Sequence, residues 1–336
     1  MSANPEISIL LPVFDAAASL PACLRSITRQ THRSWECVLV DDGSDDESVA
    51  VAGIAAAADG RFRVVSSPHR GLVSALNSGI GRCRGRYVAR MDADDLMHRD
   101  RLSRQAAALE TAPDLSAVGS HVRFFPRGGL RNGMRSYERW LNAIDSRERV
   151  RADAYVECPV AHPTLFIRRE VLAAFGYRDV GWPEDYDLFL RLHGADHAVE
   201  VVPRRLLAKR CAPGRLSQTS EAYGIDRFTA CKASFLADSF LARGDRYVLW
   251  GHGGTGRALL RALRDHGKAP AAIVELHPGR LGNTIHGAPV IAPPALAEWR
   301  HLPLVASVAG GGARSQIRAA LARMGYREGI DYVCAA

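Results

Sequence analysis

No apolar run in this chain of 336 residues approaches the roughly 18–20 residues that span a bilayer. No charged start leads into an apolar secretion segment either. The chain therefore reads as a cytoplasmic protein. Patterned cysteines are also missing. Cys23, Cys37, Cys83, Cys158, Cys211, Cys231 and Cys334 are scattered, with no C-x-x-C pair. An odd, unpatterned set suits a reducing compartment and argues against a structural zinc site. Low-complexity tracts are absent, and 47% hydrophobic with 24% charged residues is ordinary for a globular protein. Helix-turn-helix, zinc-finger and RNP-like aromatic signatures do not occur, so nucleic acid is not an expected partner.

What is present is a basic excess. Lys and Arg total 44 against 36 Asp and Glu, a net charge of +8 in which arginine dominates. That balance fits attraction to phosphates or to an anionic membrane surface, which admits peripheral contact at the inner face of the membrane. No clear amphipathic anchor is visible. The length exceeds what one hydrophobic core usually serves, so two domains are expected.

Strand-like and helix-like stretches alternate from the start. ISILLPVF (7–14), WECVLV (35–40), RVVSS (63–67) and YVARM (87–91) read as strands. Leu20, Leu24 and Ile27 recur at helical spacing, 46–58 is alanine-rich, and Leu72, Leu76 and Ile80 share one helical face. This rhythm implies right-handed βαβ units and a mostly parallel sheet, an α/β fold. From about 120 to 180 the pattern is less regular. TLFIRRE (164–170) reads as a strand entering a short helix, EDYDLFLRL (184–192) as a helix, and 221–242 as one long helix. At Gly244 the rhythm begins again with RYVLWG (246–251), a helix after GHGGTG, then AAIVE (271–275) and PLVASV (303–308). The expected division is 1–243 and 244–336, the second a small Rossmann-like α/β domain.

Two acidic clusters fall at strand ends, where ligands bind in parallel sheets. VLVDDGSDD sets Asp41 and Asp42 after the second strand, with Gly43 permitting a tight turn. RMDADD brings Asp92, Asp94 and Asp95 together after the fourth. Carboxylates packed so closely repel one another, and a D-x-D at a strand end offers hard oxygen ligands for Mg²⁺ or Mn²⁺. Taken alone, an acidic cap accounts for the second cluster as well as a metal site does, and a common turn accounts for the first better. Their joint placement at strand ends favours a metal-dependent enzyme acting on a phosphorylated donor.

The order LPVFD, VLVDDGSDD, GLVSALNSGI, GRYVARMDADD, HPTLFIRRE and WPEDYDLFLRL resembles the family 2 glycosyltransferases, with a GT-A fold, over roughly residues 5–240. The resemblance implies an inverting transfer of a sugar from a nucleotide-diphosphate donor, a UDP-sugar by preference, to a hydroxyl acceptor. Glycan or lipid-linked acceptors and polysaccharide synthesis are the implied setting, with Mn²⁺ or Mg²⁺ as cofactor. It places Pro12, Asp41, Asp42, Asn77 and Asp92 at the donor and Asp94 with Asp92 on the metal. Asp185 becomes the catalytic base beside Glu184, and His162 faces the acceptor or metal region. Arg210 and Arg215 lie on a basic segment suited to closing over the pyrophosphate. Asp15 departs from the family's usual asparagine and is not counted as a ligand. The Q-x-x-R-W signature of processive synthases is missing, so transfer of one or a few sugars is expected.

In the second domain Gly251, Gly253 and Gly256 form G-x-G-x-x-G between a strand and a helix, and Glu275 ends the next strand. That is a dinucleotide fingerprint in its proper setting. The run is also similar to the small Rossmann-like domains attached to sugar-modifying acyltransferases, which implies nucleotide or nucleotide-sugar binding, or docking, without hydride chemistry. Three other functions stay open. One is a non-catalytic nucleotide-sugar-binding or assembly protein, and another an NAD(P)-dependent reductase using the C-terminal domain. The third, a sugar nucleotidyltransferase, needs a glycine-rich loop after the first strand, and LPVFDAAAS contains no glycine.

Overall fold

The computed structural model describes residues 4–211 and 220–336. Its first strands are β1 (Ile7–Val13), β2 (Trp35–Asp41), β3 (Phe62–Ser66) and β4 (Tyr87–Arg90). They alternate with α1 (Leu20–Thr28), α2 (Ser48–Ala58) and α3 (Leu72–Ile80). β1 pairs in parallel with β2 and β4, and β2 with β3. Every residue of β1, β2 and β4 is buried, as befits strands covered on both faces. α1 turns Leu20, Cys23, Leu24 and Ile27 inward, and its early proline occupies a position where the missing N–H costs nothing. Each fully buried Leu or Ile contributes roughly 1.5–3 kcal/mol.

The next elements are β5 (Leu96–Met97), α4 (Arg101–Thr111), β6 (Leu115–Phe125), α5 (Asn132–Leu141) and α6 (Arg147–Ala152). They are followed by β7 (Phe166–Arg168), α7 (Arg169–Phe175), α8 (Glu184–Gly194) and β8 (Ala198–Arg210). The strands complete a sheet in the order β3-β2-β1-β4-β7-β6-β8-β5. Only β7 and β5 run against their neighbours, so the α/β reading with a mostly parallel sheet is borne out. The less regular stretch from about residue 120 opens with the end of a long strand, β6. β6 pairs in parallel with β8, whose register shifts around His121 break the alternation that would have marked both strands in sequence.

The chain packs as two compact units. One comprises the described residues to Val150, then Val160–Val180 and the stretch that starts at Arg191. The other gathers Arg151–Pro159, Gly181–Leu190 and the described residues from Ser220 on. In this second unit α9 (Ile225–Asp238) precedes β9 (Arg246–Trp250), α10 (Gly254–Asp265), β10 (Ala269–Val274), β11 (Thr284–Ile285) and β12 (Ala288–Ile291). β13 (Leu304–Ala306), α11 (Gly311–Arg323) and β14 (Tyr332–Cys334) complete it. A second sheet results, in the order β11-β12-β10-β9-β13-β14 and parallel except for β11.

The single long helix expected over 221–242 is instead a 3-10 turn at Glu221–Tyr223 followed by α9. Gly224 between them is extended, with φ −64° and ψ 149°, and interrupts the helical ladder. Two short segments join this unit through buried polar contacts. The Lys232 ammonium donates to the carbonyls of Val156 at 2.9 Å and Ala335 at 2.7 Å. Burial lowers its pKa to about 8. Arg318 Nη2 lies 2.7 Å from the fully buried Asp153, and the Tyr186 hydroxyl donates to Ala154 O at 2.9 Å. Among the described residues no helix is long and apolar enough to cross a membrane.

Candidate active site

β4 delivers the aspartate cluster. Its four residues are buried, and the chain then turns with Asp95 N donating to Asp92 O at 3.3 Å. One carboxylate oxygen from each of Asp92, Asp94 and Asp95 lies within 4.8 Å of the others. Two unit charges at that spacing repel by roughly 3 kcal/mol at an effective dielectric near 20. The protein sets cations beside them. Arg90 Nη1 bonds Asp92 Oδ1, and Lys209 Nζ stands 3.7 Å from Asp92 Oδ2.

The three carboxylates are not equivalent. Asp95 is fully buried and accepts from Arg210 N at 2.7 Å, so it ties the cluster to the end of β8. Asp92 and Asp94 are part-exposed. Two part-exposed carboxylates are a donor set that fits Mg²⁺ or Mn²⁺, ions that complete their shell with other oxygen ligands. Arg210 adds Nε to Asp94 O at 3.0 Å, and its guanidinium sits 4.7 Å over the Phe125 ring. Arg215 lies outside the described residues.

Beneath the cluster is a residue that sequence reading passed over. Arg101, at the first position of α4, is fully buried and donates to Arg90 O and Gln105 Oε1, each at 2.9 Å. Burial foremost, then Arg90, lowers its pKa to about 9, against the pull of Asp95 and Asp92. Lys209 was missed as well. Its signal was present as a basic pair, Lys209 and Arg210, at a strand end.

Asp41 and Asp42 sit at the carboxyl end of β2, next to β1, where Pro12 pairs with Val40 and Val13 with Asp41. Their side chains do different things. Asp41 Oδ1 accepts only a long 3.3 Å bond from Ser44 N among the described contacts. Asp42 is enclosed by the loop that leads to α3. It accepts from Arg70 N at 3.0 Å and Gly71 N at 2.8 Å, and His69 Nδ1 is 2.9 Å from Oδ2. Gly43 is needed beneath this loop: its φ is +75°, and a Cβ there would lie 2.7 Å from His69 N. Phe14, just past β1, stacks on His69 with ring centroids 4.2 Å apart. Asp15 adopts φ +44°, a conformation that Asp and Asn tolerate best among residues with a Cβ. Its Oδ1 accepts from Asp45 N at 2.9 Å, a turn role and not a ligand role.

Asn77 and His162 are brought together through Tyr177. Asn77 hydrogen-bonds both main-chain groups of Tyr177, whose hydroxyl lies 2.8 Å from His162 Nε2. His162 is buried in a 3-10 turn at His162–Thr164 that precedes β7.

In the second unit, Glu184 and Asp185 open α8. Asp185 Oδ1 accepts from Tyr186 N at 2.7 Å, Glu184 pairs with the Tyr223 hydroxyl, and the buried Asp187 accepts from Trp182 Nε1 at 3.1 Å. The fully buried Tyr186 anchors this turn. The glycine loop lies elsewhere in the same unit. Gly251 has φ +95°, and a Cβ on Gly256 would fall 2.0 Å from Gly251 O, so the helix start packs directly on the strand end. Around Gly253 the space is open. Glu275 Oε1 accepts from His252 N at 2.7 Å and from Arg280 at 3.1 Å, which ties the loop to the end of β10.

Residues 8–176 match the model of glycosyl transferase family 2. The putative glycosyltransferase EpsE of Bacillus subtilis is 28% identical over 242 residues, 69% of this chain and 84% of that protein. The amylovoran biosynthesis glycosyltransferase AmsE of Erwinia amylovora is 31% identical over 207 residues, 60% of this chain and 75% of its own length. Among solved structures, S. aureus TarS 1-349 in complex with UDP-GlcNAc superposes with a TM-score of 0.56 at 14% identity, over 78% of this chain and 72% of that one. The mannosyltransferase PcManGT from Pyrobaculum calidifontis, in complex with GDP-Man and Mn2+, gives 0.52 at 18% identity, over 97% and 82%. These two likenesses establish a shared GT-A type of fold.

Proposed function

The chain belongs to glycosyl transferase family 2, and from that premise we propose an inverting, metal-dependent transfer from a nucleoside-diphosphate sugar. A UDP-sugar is the preferred donor, and a hydroxyl of a glycan or lipid-linked precursor in polysaccharide synthesis is the acceptor. The observation that carries the proposal is the aspartate cluster at the carboxyl end of β4, in the same sheet as Asp41.

Asp92 and Asp94 would hold the divalent ion, which when bound stabilises the charge that builds on the departing diphosphate. Asp41 is the better nucleobase partner, since Asp42 is occupied by the loop at 69–71. Arg210, whose main chain bonds Asp95 and whose Nε bonds Asp94 O, would contact the donor phosphates. Asp185 is the base that takes the acceptor hydroxyl's proton, a role that single displacement assigns to one carboxylate. Glu184 and Tyr186 fix the turn that presents it. Residues 1–243 carry the transferase in this reading. Residues 244–336, which pack in one compact unit with 151–159 and 181–190, are read as a Rossmann-like domain whose glycine loop would take a nucleotide without redox chemistry.

The test uses the purified full chain, a panel of nucleotide sugars and Mn²⁺, with released nucleoside diphosphate as readout. Asp94→Asn should lose both turnover and the metal-dependent rise in melting temperature that donor gives. Asp185→Asn should keep that rise and lose turnover by about 10²–10⁴-fold. Full turnover in Asp185→Asn would end the base assignment. Full turnover in a chelator would end the metal requirement.

A further inference from the structure

The mechanism leaves unused a basic cavity that lies beside β6 and α5. Asn142 fastens the helix end to the strand, its side-chain amide bonding Val122 N at 2.8 Å and Val122 O at 2.9 Å. Met134, Tyr137 and Trp140 pack against the core, and Tyr137 lies 6.0 Å from Phe124 and 5.7 Å from Trp140, centroid to centroid. With that face buried, α5 turns Arg135 and Arg139 the other way. Arg123 projects from β6, Arg205 from β8 and Arg127 from the connecting turn. Together the five arginines line a cavity of about 720 Å³.

Among the described residues Glu138 is the single carboxylate in the lining, and it is already committed. It is 6% exposed, accepts from Phe124 N at 3.1 Å and pairs with Arg127 at 2.5 Å. Four guanidinium charges therefore remain without a compensating acid in the wall. Among the described residues Arg123 and Arg205 make no ion pair at all. A second arginine-rich hollow near the amino ends of β1 and β4 is different. There Arg84 pairs with Glu36, Arg168 and Arg169 donate to main-chain carbonyls, and Glu170 stands in the lining. In the cavity beside α5, Arg135 likewise donates to Leu130 O and Arg127 O and Arg139 to Ser136 Oγ, and the difference lies in Arg123 and Arg205, which among the described residues pair with no carboxylate.

Guanidinium groups gathered without acids repel one another, and an anion entering between them removes that cost. Arginine forks match phosphate oxygens two at a time, unlike an ammonium point charge. The volume falls within the range of small-ligand pockets. Among the described residues the large exposed apolar side chains, such as Phe14, Ile54 and Ile225, lie on other segments, so none of them at this cavity is suited to enter acyl chains. Headgroup chemistry fits it, and tail chemistry does not.

We propose that this cavity is a phosphate-group site, separate from the donor site, that takes the phosphate or diphosphate of a lipid headgroup or of a soluble phosphate ester. The proposal does not depend on the donor and base assignments above. Its probes are inorganic pyrophosphate, followed by calorimetry in chelator so that the aspartate cluster holds no metal, and vesicles of phosphatidylglycerol or of phosphatidylcholine, followed by sedimentation. The full chain is compared with Arg123→Ser/Arg205→Ser and with Arg123→Lys/Arg205→Lys, both pairs being exposed positions.

The serine pair should weaken pyrophosphate binding at least about tenfold, and the lysine pair should recover part of it. Rising salt should weaken what remains, as for any exposed charge site. Sedimentation with phosphatidylglycerol but not phosphatidylcholine, lost in the serine pair, identifies the lipid source. Pyrophosphate binding lost in the serine pair, without vesicle binding by the full chain, identifies the soluble one. Equal binding by the full chain and the serine pair, or no binding of either probe by the full chain, overturns the proposal. Retained UDP and Mn²⁺ stabilisation in the serine pair separates this result from any failure at the donor site.

Discussion

Asn77 and Tyr177, one hundred residues apart in sequence, exchange two hydrogen bonds. Asn77 Nδ2 donates to Tyr177 O at 2.9 Å, and Asn77 Oδ1 accepts from Tyr177 N at 2.9 Å. The amide thus completes a backbone pairing that no strand supplies, and it holds the tyrosine whose hydroxyl meets His162. Removing it strands a donor and an acceptor. Asn77→Ala is expected to cost about 2 kcal/mol, the usual scale for part-buried groups left unmade. Asn77→Asp keeps the acceptor, sets a carboxylate against the Tyr177 carbonyl, and should cost at least as much. Urea unfolding midpoints of the two variants check this. Unchanged midpoints would show that the pair contributes nothing.

Glu36 gives a pH signature. It is buried, and burial raises its pKa; the Arg84 guanidinium and amide, the Ser8 hydroxyl and Arg63 outweigh that and bring it below the ordinary value of 4.5. A lowered carboxylate pKa contributes stability that is complete above the unfolded value and is lost as pH falls through the folded one. Glu36→Gln should therefore be less stable than the natural chain at neutral pH, and the gap should narrow below about pH 4. Thermal unfolding across that range is the measurement. A gap that widens on acidification would contradict the assignment.

Much of this was legible in the sequence, and the limits have physical causes. Continuous apolar runs at βαβ spacing marked β1, β2 and β4, because strands buried on both faces need apolar side chains throughout. Both acidic clusters were placed correctly at strand ends. The pairing of β6 with β8 was not legible. It joins residues far apart in sequence, and shifts of register blur its period. The division of labour between Asp41 and Asp42 was also hidden, since it depends on where the loop at 69–71 returns. Likewise the sequence showed three glycines of equal standing at 251, 253 and 256, and their surroundings separate them.

Gly256→Ala places a Cβ 2.0 Å from Gly251 O, a backbone atom that cannot rotate aside. The helix start must then move off the strand, at a cost of about 1–3 kcal/mol, typical of overpacking. Gly253 has open space around it and an extended φ of −75°. Gly253→Ala should stay within about 1 kcal/mol of the natural chain, the range of an altered N-cap. Denaturant unfolding of both variants measures the contrast. Equal losses would mean that the loop does not pack as described.

The last prediction separates the two aspartates after β2. Asp42 holds the loop by accepting the amides of Arg70 and Gly71 while facing His69, and His69 in turn carries Phe14 on its ring. Asp42→Ala leaves two amides without their acceptor and should cost about 1–3 kcal/mol. Asn at this position keeps one acceptor oxygen, so Asp42→Asn should lose less. Arg70 is exposed in that loop, and trypsin cleaves after arginine, so loosening has a direct readout. Cleavage after Arg70 should accelerate in Asp42→Ala, because proteolysis follows local opening. Asp41→Ala should leave the cleavage rate unchanged, since among the described residues that carboxylate accepts a hydrogen bond only from Ser44 N, and it should instead weaken donor binding. Faster cleavage in Asp41→Ala with none in Asp42→Ala would reverse the two roles.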